Sequence, residues 1–301
     1  MQQQSVLFIA PTRIGDAVLA SALLAHIATT QPQARVTIAT SPLSAPLYEG
    51  YPLLERIIPM QKQSYSRHWL KLLREVVGTR WHSVWDIRNS APSFLLRATH
   101  RHRFPGSDAP MPKVEQYAQL LKTGPLPYPV LWTKEEHRAQ AAQYVPEGQR
   151  YLVLAPIANW APKEWPLAHF ITLAQHLFAD GGACHGWRPV VVCAAHERAR
   201  AMPLLEALAP YQPVDLTEGL LPLLSVYACM QRAHGFIGND SGLMHMAAAA
   251  GIPTLGLFGP TPSVIYGPYG RHTQALRAPN DALEQLTPQQ VAETFSTLLA
   301  R

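Results

Sequence analysis

Three short clusters in this 301-residue chain combine residue types that could do chemistry on an anionic ligand. The richest is Gly238-Asn239-Asp240-Ser241-Gly242-Leu243-Met244-His245. It follows a short buried-strand pattern at 233–237 and precedes a run of strong helix formers at 243–250, closed by Gly251 and Pro253. A loop so placed offers backbone N–H groups and the positive end of a helix dipole, which suits an anion and most often phosphate. The same residues admit a plain structural reading, in which Asp240 or Ser241 caps the helix and His245 packs inside it. The second cluster holds Lys163, in a Pro-rich loop after an apolar run at 151–155. The third is Gly15-Asp16, after the apolar run 5–10.

A carboxylate in one domain, with a lysine and a helix N-terminus in the other, is what transfer from a diphosphate-activated donor needs. The carboxylate takes a proton from the attacking hydroxyl while the positive groups stabilise the departing diphosphate. Each cluster also has an ordinary reading, Asp16 as the N-cap of the first helix and Lys163 as a surface lysine beside a tryptophan.

The elements that must position these groups follow a βα alternation. Strand patterns at 5–10, 35–40, 56–59 and 83–87 are separated by helical patterns at 17–29, 43–49 and 67–77, with a short helix near 93–98. A Pro- and Gly-rich passage from Lys122 to Arg150 reads as a boundary, placed near residue 145. A second series then begins, with strands at 151–155, 189–194, 213–216, 233–237 and 254–258 and helices at 166–180, 196–209 and 222–231. The expected architecture is therefore α/β, with two Rossmann-like doubly wound domains, 1–145 and 146–301, facing across a cleft, the last helix returning to the first domain. All three polar clusters fall at strand ends, where open α/β sheets bind ligands.

Composition narrows the partners. An excess of five positive charges favours an anionic partner without choosing among nucleic acid, lipid and phosphorylated sugar. No apolar run is long enough to span a bilayer, and Met1-Gln2-Gln3-Gln4 runs straight into a strand, so neither a signal peptide nor a spanning helix is expected. Cys184, Cys193 and Cys229 show no metal or CxxC spacing and read as reduced, partly buried thiols in a cytoplasmic protein. His100-Arg101-His102-Arg103 is a poor cation site because arginines flank the histidines; a solvated basic loop and a contact with an anionic substrate both remain open. The chain has no Asp-x-Asp pair, no phosphate-binding G-x-x-x-x-G-K-[ST] loop and no G-x-G-x-x-G after the first strand, which removes the kinase, NTPase and dehydrogenase readings.

Ile14-Gly15-Asp16-Ala17-Val18, Pro162-Lys163-Glu164-Trp165-Pro166, Ala194-Ala195-His196-Glu197, the stretch Asn239 to Ala249, and Leu257-Phe258-Gly259-Pro260-Thr261 resemble, in this order, the motifs of bacterial ADP-heptose:lipopolysaccharide heptosyltransferases, glycosyltransferase family 9. The resemblance implies a GT-B fold and inverting, metal-independent transfer of heptose from ADP-heptose to an inner-core lipopolysaccharide acceptor, with no cofactor and no nucleic acid partner. It implies that Asp16 is the general base, that Lys163 contacts the donor phosphates and that Glu197 lies near the ribose. Asp240 would hold the heptose hydroxyls, and Ser241, Gly242 and His245 would form the diphosphate-binding helix start. Such enzymes often carry arginine after the motif lysine. Here it is Glu164, whose charge would weaken the positive field if it faced the phosphates. The basic groups Arg67, Lys71, Arg74, Arg97, Arg101 and Arg103 fit an anionic lipid acceptor presented at the inner-membrane face. Transfer to a protein or another glycan, nucleotide-sugar epimerisation and non-catalytic sugar-nucleotide binding are the alternatives.

Overall fold

A computed structural model describes residues 4–107, 109–121 and 124–301. The expectations for Met1, Gln2, Gln3 and Lys122 therefore lie outside the described residues. The chain divides into two units, Met1–Trp132 and Thr133–Arg301. The division falls earlier than residue 145 because the helix Glu135–Tyr144 packs on the helix Leu223–Gln231 of the second unit, and the Ser225 hydroxyl donates to Gln140 at 2.6 Å.

The first unit carries the strands β1 (Ser5–Ile9), β2 (Arg35–Thr40), β3 (Leu54–Pro59), β4 (Trp81–Asp86) and β5 (Ala98–Arg103). They form one parallel sheet in the order β3-β2-β1-β4-β5. β1 and β2 are almost wholly buried, the pattern of a sheet covered on both faces. The helix Ile14–Thr30 is apolar on most sides and buries Leu19, Leu23 and Ile27, whereas the helix Arg67–Val76 buries only His68, Leu72 and Val76. Residues 43–49 contain a short 3-10 turn, Ala45–Tyr48, and the short helix near 93–98 is Pro92–Leu95.

β5 corrects the reading of His100-Arg101-His102-Arg103 as a loop. Charged residues disguised it, and charge is what an exposed edge strand tolerates.

The second unit carries β6 (Tyr151–Ala155), β7 (Arg188–Val191), β8 (Val214–Asp215), β9 (Gly235–Asn239), β10 (Thr254–Phe258) and β11 (Thr273–Arg277), all parallel, in the order β11-β10-β9-β6-β7-β8. The edge strand β11 was not foreseen. Its core gathers Trp165, Phe170, Leu173 and Phe295. Phe295 belongs to the last helix, Pro288–Leu299, which packs on the helix Leu167–Phe178 within the second unit's core. The Thr287 hydroxyl caps that helix by accepting from Gln290 N at 3.3 Å.

Both sheets reverse strand order once, between β1 and β4 and between β6 and β9. These are the switch points at which loops diverge and leave a crevice above the strand ends. Among the described residues no helix is long and apolar enough to cross a membrane.

At the second switch point β6 and β9 approach closely at Gly238. A Cβ there would sit 2.9 Å from the Ala155 carbonyl oxygen and 2.7 Å from the Phe236 ring. Gly238→Ala is expected to lower unfolding free energy by about 1–3 kcal/mol, the usual cost of overpacking. Urea denaturation checks it, and a variant as stable as the parent would contradict this packing.

Candidate functional site

At the second switch point the loop after β6 carries Lys163 and the loop after β9 carries Asp240. Their strands are adjacent, so 77 residues of sequence separation close to a 2.6 Å contact between Lys163 Nζ and Asp240 Oδ2. The Asp240 side chain is 6% exposed and the Lys163 side chain 23%. In such surroundings an ion pair persists because loss of either partner strands a buried charge.

Asn239, fully buried, fixes the two loops to each other. Its amide nitrogen donates to the Pro156 carbonyl at 2.7 Å, and its amide oxygen accepts from Trp165 N at 3.0 Å. Trp165 is anchored in turn by its indole N–H, which donates to the Leu286 carbonyl at 2.8 Å.

The helix Gly242–Ala249 starts beside this pair. Ser241 occupies the N-cap position in extended conformation, yet its hydroxyl makes no capping bond. The simple cap reading of Asp240 or Ser241 therefore fails: Asp240 pairs with Lys163, and the Ser241 hydroxyl is buried without a hydrogen bond among the described residues. Three polar atoms beyond the ends of β9 and β10, in the loops and in the helix Gly242–Ala249, are buried without a protein partner among the described residues: Ser241 Oγ, His245 Nδ1 and Thr261 Oγ1. Such atoms are rare in folded proteins, and here they gather at the ligand-binding edge of adjacent strands.

Glu164 does not point its charge freely at this region. One carboxylate oxygen accepts from Ala158 N at 2.9 Å and the other pairs with Arg200. The field-weakening expected of a carboxylate beside the lysine is thereby offset by a guanidinium. Glu197 sits in the turn after β7, its carboxylate accepting from Ala194 N at 3.2 Å.

In the first unit, Asp16 is in the first turn of the helix Ile14–Thr30, three residues beyond the N-cap residue Arg13, so it is not the N-cap. It is partly buried and stands just past the end of β1, at that unit's switch point. The preceding loop is held where the Ser41 and Ser44 hydroxyls donate to the Thr12 carbonyl at 2.8 and 2.9 Å. Across the switch point, the buried Asp86 carboxylate accepts from Arg88 N at 3.0 Å and from Ser90 N and its hydroxyl at 2.6 and 2.7 Å.

The chain shares this two-sheet architecture with solved glycosyltransferases. E. coli ADP-heptose lipopolysaccharide heptosyltransferase II superposes with a TM-score of 0.80 at 23% identity over 99% of each chain. An E. coli heptosyltransferase solved with ADP gives 0.76 at 20% identity over 98% of this chain and 100% of that one. Lipopolysaccharide heptosyltransferase 2 of Salmonella typhimurium is 24% identical over 98% of each chain. The family model described as glycosyltransferase family 9 (heptosyltransferase) matches residues 55–295, most of the chain. The chain belongs to that family. It is a glycosyltransferase with a GT-B fold.

For a family 9 enzyme, the structure gathers Lys163, Asp240, Ser241, Gly242 and His245 at one switch point, with Glu197 after the neighbouring strand β7. The basic residues expected to meet an acceptor divide. Arg67, Lys71, Arg74 and Arg97 are exposed. Arg101 instead donates to the carbonyls of Leu96, Ser93 and Ala98, and Arg103 lies 3.3 Å over the Phe94 ring while donating to the Ser90 carbonyl at 3.3 Å. Those two brace their own segment, and contact with an acceptor would compete with these bonds. His102 stacks on Trp85 at 3.7 Å and His100 lies beside His82. The three cysteines are buried, and burial raises their thiol pKa values to about 11 for Cys193 and about 12 for Cys184 and Cys229. Asn239 and Thr261 stand in the sequence only as members of longer motifs. An asparagine ending a buried strand was the available signal for the first, and a threonine between two prolines after another such strand for the second.

Burial pushes the His245 imidazole down to about 4, with Asp240 opposing and Lys163 adding to the fall. The unfolded chain protonates this group near its ordinary value of roughly 6.5. Between those two pH values the unfolded state holds the extra proton, so stability falls as the pH is lowered. Denaturation at pH 7 and pH 4.5 should show the parent losing about 2–3 kcal/mol more than His245→Gln over this window. Equal losses would mean that His245 is not held neutral.

Proposed function

We propose that the chain transfers heptose from ADP-heptose to a hydroxyl of the inner core of lipopolysaccharide, with inversion and without a metal ion. The observation that carries this reading is the Lys163–Asp240 pair beside the open start of the helix Gly242–Ala249, in a chain of family 9. Support for the donor comes from relatives whose names specify ADP-heptose or heptosyl transfer to lipopolysaccharide.

In this mechanism the diphosphate lies against the first N–H groups of that helix, which have no partner within it. Lys163 leaves Asp240 for the diphosphate, and Asp240 is then able to accept from heptose hydroxyls. The Ser241 hydroxyl and the neutral His245 ring add uncharged polar contacts. Glu197 accepts from the ribose. Asp16 removes the acceptor hydroxyl's proton as its oxygen bonds to the anomeric carbon. The bond from that carbon to the phosphate oxygen breaks, and ADP departs with the electron pair.

Asp16→Asn should lower kcat by about 10²–10⁴-fold, the usual worth of a general base. Its ADP affinity should stay within a few-fold, because Asp16 belongs to the first unit and the proposed ADP site to the second. Product formation from ADP-heptose and a heptose-deficient core acceptor, assayed in EDTA, is the test. Full turnover by the variant would remove Asp16 from the mechanism. Release of a free epimerised sugar without acceptor would replace transfer with epimerisation.

A further inference from the structure

Five of the chain's large exposed apolar side chains fall within residues 65–95: Tyr65 (93% exposed), Leu70 (57%), Val77 (47%), Phe94 (61%) and Leu95 (66%). In the helix Arg67–Val76 and its C-cap Val77, spacings of three and four place Arg67, Leu70, Lys71, Arg74 and Val77 on the face opposite buried His68, Leu72 and Val76. The short helix Pro92–Leu95, which carries Phe94 and Leu95, packs against this helix, so the two sets of apolar tips belong to neighbouring elements. Between residues 62 and 101 eight lysines and arginines meet only two carboxylates, Glu75 and Asp86. Asp86 is buried. That excess of six exceeds the net charge of +5 of the whole chain, so the positive charge is concentrated where the apolar side chains are exposed.

We propose that this face of the first unit is an interfacial membrane dock. Tyr65, Leu70, Phe94 and Leu95 enter the headgroup–acyl boundary of an anionic bilayer, and Arg67, Lys71, Arg74 and Arg97 bind its phosphates. An apolar strip set within basic residues, on a helix too short to span, is the pattern of a segment that lies in the interface plane. Basic side chains add attraction to anionic lipid, and none of these four forms an ion pair among the described residues. The dock also has a definite place in the fold. The helix Arg67–Val76 follows β3, so it begins at the carboxyl edge of the parallel sheet, the edge at which Asp16 follows β1. A pocket of about 240 Å³, lined by Ile58, Met60, His68, Lys71 and Leu72 among others, lies beside this helix and shares Lys71 with the dock. A lipid-borne acceptor held in the bilayer would thus be presented on the Asp16 side of the unit. That last step rests on the proposed function; the membrane binding does not.

The test is cosedimentation of the full chain with vesicles of phosphatidylcholine alone and of phosphatidylcholine with 30% phosphatidylglycerol, at 0.1 M and 0.5 M salt. Binding should require the anionic lipid and weaken at high salt. Arg67→Ser/Lys71→Ser/Arg74→Ser should lose on the order of a hundredfold in affinity for the anionic vesicles. Tyr65→Ser/Leu70→Ser/Leu95→Ser should lose at least tenfold while keeping the parent's melting temperature and its turnover of a soluble, deacylated acceptor. The proposal is overturned if the parent does not bind anionic vesicles, or if folded variants bind as well as it does. Sedimentation velocity adds a further contrary outcome, a dimer of the parent that the apolar triple variant abolishes, which would make the face a contact between two copies. Vesicle binding without any turnover would leave the dock standing and count against the proposed reaction alone.

Discussion

A single buried carboxamide holds the loops after β6 and β9 together. Asn239 ends β9, and its side chain reaches the loop after β6 twice, giving a hydrogen bond to Pro156 and receiving one from Trp165. A carboxamide carries a donor and an acceptor on separate atoms without charge, and leaving either unpaired at a fully buried position is costly. With both bonds made, the loop bearing Lys163 has one place to go, beside Asp240. Parallel strand order makes this economical, because β6 and β9 are distant in sequence yet adjacent in the sheet.

Around that fixed point the charges are arranged to be exchanged. Lys163 and Asp240 neutralise each other at 2.6 Å in a mostly desolvated position. In the proposed mechanism a diphosphate draws the lysine away and leaves a carboxylate in need of hydroxyl donors, which a sugar would supply. Removing either member would strand the other's charge, and on the proposed function both are released as ligands when the donor binds. His245 contributes to the same economy by being neutral, since a second fixed positive charge beside Lys163 would oppose the pairing. Glu164 and Arg200 cancel each other one residue away, and the helix start adds a positive field of its own.

Much of this was legible in the sequence, for identifiable reasons. Buried parallel strands are continuous apolar runs, so β1, β2, β6, β9 and β10 could be read with their boundaries nearly right. The glycine-flanked Asp240 loop lay between such a strand and a helix former run, and that context singled out the candidate site. Two edge strands were the failures. β5 is written in arginine and histidine and β11 is only partly buried, so neither shows the apolar run that marks a central strand. The unit boundary was placed 13 residues late because prolines and glycines punctuate both sides of the helix Glu135–Tyr144, and only its packing on the helix Leu223–Gln231 assigns it. The partners of Glu164, Arg101 and Arg103 were likewise invisible, since each depends on which side chains three-dimensional packing brings within reach.

The central claim is that the β6–β9 switch point is a metal-independent site for a nucleoside diphosphate, with Lys163 as its charged ligand. Calorimetric titration with ADP, UDP, GDP and CMP in EDTA, repeated on Lys163→Met, tests it most directly. The account predicts binding selective for ADP, unchanged by added Mg²⁺, and weaker by roughly tenfold or more in the variant, as expected when a charge-assisted contact to phosphate is lost. Equal affinity in Lys163→Met, a preference for UDP, or binding that disappears in EDTA would contradict it.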